Sequence, residues 1–256
     1  MLLSLFPVAP SWGWRGFLFC SLSFEAHRAL ASTVERAAGP GSEMRRVAVF
    51  IDWQNAYQQA RAAFGLVGSG HEGQFSPLRL GQLLAARNKR GKDGRLVRVE
   101  VHRGQPLSNV DPIGHAAVAL QAQAWKAEAP GVVVAQLRPL AKQDDGRFIE
   151  KGVDVHLAAC AIEWSVVHRI DTVIVVSHDS DLRPAVEVLA RIRSPAAVET
   201  ASWRSSTYFK RIAPCPGVVN HTLSSSALQS IADSQRYREL ARRRLRERER
   251  ARSRRR

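Results

Sequence analysis

Two apolar, β-branched runs in this chain break off abruptly in carboxylates. Val47-Ala48-Val49-Phe50-Ile51 ends in Asp52, and Val173-Ile174-Val175-Val176 runs through Ser177-His178 into Asp179 and Asp181. Strands apolar on both faces belong inside parallel sheets covered by helices. A carboxylate at the end of such a strand stands at the sheet's C-terminal edge, where open α/β sheets bind ligands. A further acidic residue, Asp154, follows Lys151-Gly152-Val153 at an expected helix start, the favourable end of the helix dipole. Carboxylates that converge repel one another unless a cation sits between them, and hard divalent ions with oxygen ligands are the usual remedy. The pattern points to Mg2+ or Mn2+ held by Asp52, Asp154, Asp179 and Asp181.

The segments between these positions alternate in period. Val47 to Ile51 reads as a strand and Gln54 to Phe64 as a helix. Ser76-Pro77 makes an N-cap and first-turn pair for a helix reaching about Asn88. Gly91-Lys92-Asp93-Gly94 turns into a strand from Leu96 to His102, and Pro112 to Glu128 is an Ala-rich helix. Pro130-Gly131 leads to a strand from Val132 to Leu137, and Lys142 to Glu150 is a loop. A helix from Gly152 to His168, a strand from Thr172 to Ser177, a helix from Leu182 to Ile192 and a last strand from Ala197 to Ser202 complete the series. Strands separated by helices of this length make βαβ units. The expected architecture is α/β, a three-layer α/β/α sandwich on a mainly parallel sheet, occupying residues 44–203.

The ends differ from this body. Residues 1–43 open on an apolar stretch with no positive region before it, and Trp12-Gly13-Trp14-Arg15-Gly16 interrupts any signal-like segment. Either this is an extension or Met44 is the true start. After Trp203 the chain turns polar and Pro-containing, so residues 204–235 read as a linker followed by a helix through Leu228 and Ile231. Residues 236–256 hold twelve arginines against three glutamates, which is most of the net charge of +15. That tail reads as a solvated helix fraying into a disordered arm. A basic excess favours polyanions, nucleic acid before anionic membrane, although a purely solubilising arm has the same composition. Three cysteines without CxxC spacing suggest neither a disulfide framework nor a zinc site, so a reducing, cytoplasmic setting is the expectation. No stretch has the length of a membrane span.

Three blocks together resemble a known family. Phe50-Ile51-Asp52-Trp53-Gln54-Asn55, Lys151-Gly152-Val153-Asp154-Val155 with Leu157-Ala158 after it, and Ser177-His178-Asp179-Ser180-Asp181 with Pro184 and Glu187 beyond are similar to the signature blocks of the NYN domain, a branch of the PIN-like metal-dependent ribonucleases. The resemblance spans roughly Arg45 to Trp203. It implies hydrolysis of RNA by one or two divalent ions held by Asp52, Asp154, Asp179 and Asp181, with Asn55 and Ser177 lining the pocket and RNA as partner. Lys151 would reach a phosphate or else be a solvated surface residue. Relatives often carry an acidic residue where this chain has Cys160, and commonly Gly where it has His178, here expected at the rim of the site. Trp53 would stack on a base or pack on the sheet.

Each aspartate alone would serve as a helix cap or turn residue; the three blocks in order reverse that balance. The rival from another class is an RNA-binding adaptor that keeps the fold and turns over weakly or not at all. A phosphatase-like α/β domain would need an Asp or Thr close behind Asp52, and Trp53-Gln54-Asn55 does not supply one. Self-association into a homo-oligomer stays open.

Overall fold

The computed structural model describes residues 44–254 apart from 69, 88–93 and 145. The expectations for residues 1–43, the helix end near Asn88, most of the turn after it and the last two arginines lie outside the described residues.

Six parallel strands form the central sheet. In chain order the elements are β1 (Arg45–Asp52), α1 (Trp53–Phe64), α2 (Pro77–Ala86), β2 (Gly94–Gln105), α3 (Pro112–Glu128) and β3 (Val133–Pro139). A short antiparallel pair, β4 (Ala141–Lys142) and β5 (Phe148–Ile149), precedes α4 (Val153–Val167) and β6 (Thr172–Val176). Then come a 3-10 turn (Ser180–Leu182), α5 (Arg183–Arg193), β7 (Val198–Trp203), β8 (Val219–Leu223), α6 (Ser225–Ile231) and α7 (Tyr237–Ser253). The sheet order is β3-β2-β1-β6-β7-β8. The chain therefore winds outward from β1 to β3, returns to lay β6 against β1, and winds outward on the other side. The carboxyl ends of β1 and β6 frame the point where the winding reverses, the place at which a ligand crevice opens in such sheets.

The period-2 alternation within β1 explains the two cores. Val47, Val49 and Ile51 face α1, α2 and α3 together with Val99, Val101, Ile174, Val176 and Trp203. Ala48 and Phe50 face α4 and α5 with Leu157, Ala161, Val173, Val175, Val186 and Leu189. Burying an aromatic side chain as fully as Phe50, at 0% exposed, stabilises by roughly 1.5–3 kcal/mol. Ser76 caps α2 by accepting from Arg79 N at 3.3 Å, as its N-cap position requires.

The second face of β2 departs from the apolar pattern. Arg98, Glu100 and His102 are all buried there and stand opposite Trp164, Cys160 and His156 of α4, which runs in the reverse direction. Steps of two along a strand cover about 6.6 Å and steps of four along a helix about 6 Å, so the two rows stay level. Arg98 holds Glu100 at 2.6 and 2.9 Å and lies over the Trp164 ring, 4.6 Å from its centre. Burial would raise the Glu100 pKa, but His102 and Arg98 beside it hold the carboxyl down to about 2.

Two corrections concern the region after Trp203. Part of the segment 204–235, expected as linker and helix, supplies the edge strand β8, paired with β7 from Glu199↔Val219 to Trp203↔Leu223. Its polar His221 is buried because Glu199 meets it at 2.6 Å. The basic end does not fray within the described residues either. α7 runs to Ser253, and its Tyr237 and Ala241 pack on Ala117 of α3. None of the described helices is long and apolar enough to cross a membrane.

Candidate active site

Asp52 ends β1 at the reversal point and is 3% exposed. Its carboxylate does two local jobs. Oδ1 accepts from Asn55 N at 3.3 Å, capping α1, and Oδ2 accepts from the Ser177 hydroxyl at 2.9 Å. Ser177, the residue after β6, is fully buried, and its Oγ also accepts from Asp179 N at 3.1 Å. One hydroxyl thus ties the ends of the two central strands together. Asn55 adds a second tie, its Oδ1 accepting from His178 N at 2.9 Å. The sequence expectation placed Asn55 and Ser177 on the pocket lining; in the structure both side chains hold the acidic loops in place.

Asp179 is half-buried and turns one oxygen to Asp181 N at 2.9 Å, so it does cap the short turn that follows. A carboxylate has about four lone-pair sites, and one cap bond leaves room for a further ligand. Asp181 is exposed. Asp154 sits in the first turn of α4, which starts at Gly152 in the left-handed conformation, φ 72°. Lys151, just before that glycine, is exposed.

Electrostatics joins these residues into one cluster. Burial first, and the charge of Asp154 second, push the Asp52 pKa up to about 7. Asp154 is itself raised, by burial and then by Asp179 and Asp181. A fifth carboxylate, missed in the sequence, belongs to the same group. Glu150 is raised by burial and also by Asp154, while Arg103 pulls the other way. It accepts from Gly104 N at 2.5 Å. That approach needs a glycine, since a Cβ on residue 104 would lie 2.7 Å from the Glu150 Cγ. Only its position just ahead of the Lys151-Gly152-Val153-Asp154 block could have drawn attention to it.

The acids coupled here offer only carboxylate oxygens, which suit Mg2+ or Mn2+ and not a soft ion, but among the described residues no three of them come within 4.8 Å of one another. Mutual elevation of buried acids is what a divalent cation would relieve. Their donor chemistry, though not their present spacing, fits the metal that the fold implies.

Two neighbours take other roles. His178, expected at the rim, is buried at 6% exposed, and its Nε2 accepts from Trp203 N at 2.7 Å, linking β6 to β7. Burial pushes its pKa down to about 4, so it stands neutral at pH 7. Trp53 packs instead of facing a base. It is 2% exposed and its ring centre lies 4.4 Å from those of Phe75 and Trp125.

Beyond Trp53 a groove of about 390 Å³ opens between α1, α3 and the start of α7. Gln54, Tyr57, Arg103, Gln121, Arg238 and Arg242 line it. Arg103 is held by Gln121 at 2.5 Å and is the residue whose charge reaches Glu150, so the groove adjoins the acidic cluster.

The chain is similar to a solved structure of a protein of unknown function from Vibrio parahaemolyticus, at 18% identity over 73% of this chain and 98% of that one, with a TM-score of 0.47. No curated protein matches it. The sequence model of the NYN domain matches residues 46–195, more than half of the chain and all three acidic blocks. The chain is a member of the NYN domain family.

Proposed function

We propose that this protein is a metal-dependent endoribonuclease. The observation that supports this most is the coupling of Asp52, Asp154, Asp179, Asp181 and Glu150 at the reversal point of the sheet, with Asp52 buried and clamped from both sides. Asp52, Asp154, Asp179 and Asp181 would hold Mg2+ or Mn2+, with Glu150 beside them. Held by these carboxylates, a divalent ion would supply a water of lowered pKa and charge to offset that of the phosphate and leaving oxygen.

The chain's own residues supply position. Ser177 keeps Asp52 ionisable by donating to it, since a hydrogen bond to the charged form favours that form. Asn55 fixes the loop that carries Asp179 and Asp181. The arginines of the groove, with the exposed arginines of α7, offer charge to the phosphate backbone of a single strand. Lys151, exposed and three residues ahead of Asp154, would meet a phosphate. The test is incubation of the purified protein with end-labelled RNA in Mg2+, in Mn2+ and in excess EDTA. Internal cuts that appear with metal and vanish with chelator support the reading. Equal cleavage in EDTA would end the metal mechanism, and binding without cleavage under all three conditions would favour the RNA-binding adaptor.

A further inference from the structure

The row of polar residues between β2 and α4 contains an unpaid hydrogen-bonding debt. Arg98 occupies Oε1 of Glu100 and leaves Oε2 without a partner. His102, 1% exposed, has neither ring nitrogen hydrogen-bonded; its Nε2 makes only a long, 3.5 Å ion-pair contact with Glu100 Oε2. Nδ1 of His156 is buried and unpartnered as well, in a ring whose centre is 5.1 Å from that of His102. Each such orphan is destabilising, and a native structure that leaves several side by side calls for a ligand among them. The donor atoms are already gathered, because the carboxylate of Glu100, the imidazole of His102 and the thiol of Cys160 all lie within 4.8 Å of one another.

We propose that Glu100, His102 and Cys160 form a second metal site, separate from the carboxylate cluster and selective for Zn2+ or an ion of similar softness, with His156 as its fourth donor. Oxygen, nitrogen and sulfur together are a zinc donor set, whereas Mg2+ takes oxygen alone. A tetrahedral shell with bonds of about 2.0–2.3 Å spaces its ligands about 3.3–3.8 Å apart, so the three donors, now within 4.8 Å of one another, would close by up to about 1 Å on binding. The spacing suits the secondary structure. Positions i and i+2 of a strand present Glu100 and His102 on one face, and positions i and i+4 of a helix present His156 and Cys160 on the facing one. Arg98, fixed over Trp164, orients Glu100 from outside, as the outer partners of metal ligands do. Binding releases the Cys160 proton to solvent, and the thiolate then ligates the ion. Because α4 carries Asp154 in its first turn, the ion would also staple that helix to the sheet.

The site stands independently of the nuclease reading, and so does its test. Full-length protein is dialysed against Zn2+ at low micromolar concentration, and bound metal is counted by plasma mass spectrometry. Co2+ is then substituted and the near-ultraviolet absorption recorded. One Zn2+ per chain and a thiolate-to-cobalt charge-transfer band are expected. Cys160→Ala should lose the band and weaken Zn2+ affinity by more than the roughly 10- to 100-fold that loss of an outer partner costs. His102→Gln should weaken affinity by a similar factor, with folding of both variants checked by circular dichroism. Asp52→Asn should keep the zinc and the band. Failure of the folded wild-type protein to take up Zn2+ overturns the proposal, as does an unchanged cobalt spectrum in Cys160→Ala. Loss of the zinc in Asp52→Asn would place the ion in the carboxylate cluster instead.

Discussion

Asp52 offers a test of the site that needs no substrate. Its pKa rises from 3.8 in the unfolded chain to about 7 in the fold. A raised carboxyl pKa means the folded state prefers the protonated acid, so the penalty is absent below pH 3.8, grows as pH rises towards 7 and is constant beyond. At 1.36 kcal/mol per pH unit the metal-free protein loses roughly 2 kcal/mol at pH 5 and roughly 4 kcal/mol at pH 8. Asp52→Asn removes this charge. It also loses an acceptor, because an amide oxygen cannot serve both Asn55 N and Ser177 Oγ as the two carboxylate oxygens do; that costs about 1 kcal/mol at either pH. The mutant's advantage over wild type should therefore grow by roughly 2–3 kcal/mol between pH 5 and pH 8, which is roughly 5–10 °C in Tm for a domain of this size. The assay is thermal unfolding of both proteins in EDTA, followed by circular dichroism. Adding Mg2+ at pH 8 should raise the wild-type Tm and leave the mutant unchanged, since only the folded wild type binds the ion. A mutant advantage that does not change with pH in EDTA would refute the argument, because Asp52 would then ionise as it does in an unfolded chain.

Other outcomes follow from the same geometry. Ser177→Ala should weaken Mg2+ binding measured by calorimetry, because Asp52 loses the hydrogen bond that favours its charge. Gly152→Ala should cost about 1 kcal/mol in urea unfolding, since residue 152 holds φ 72°. His178→Phe should destabilise by roughly 1–3 kcal/mol by stranding Trp203 N, while the pH profile of any cleavage keeps its shape. Truncation after Arg242 removes the exposed arginines beyond it and spares the packed Tyr237 and Ala241. RNA affinity should then fall and its log-log salt slope flatten by about 0.7 per lost phosphate contact; an unchanged slope would show that α7 does not touch RNA.

The parallel sheet was legible because β1 and β6 are unbroken apolar runs whose partners on both faces are helices. The acidic edge was legible because those runs stop at Asp52 and just before Asp179. β8 was hidden by its composition. Val219-Asn220-His221-Thr222-Leu223 looks like loop until His221 is seen inside the protein with Glu199 as its partner. Glu150 lies in a turn, and only the Gly104 amide, distant in sequence, draws it to the cluster. Cys160 likewise looks like a small filler on a helix until β2 places Glu100 and His102 in front of it. In each case the deciding partner sits on another element, which periodicity along one segment cannot register.

The central claim is that the clustered carboxylates perform chemistry on RNA and do not merely hold it. Single-turnover cleavage and equilibrium binding of one labelled RNA, measured side by side for wild type, Asp52→Asn and Asp179→Asn in Mn2+, test it most directly. The account predicts cleavage by the wild type alone, with affinity within a few-fold across all three proteins. Cleavage at the wild-type rate by either variant, or none by the wild type despite tight binding, would contradict it.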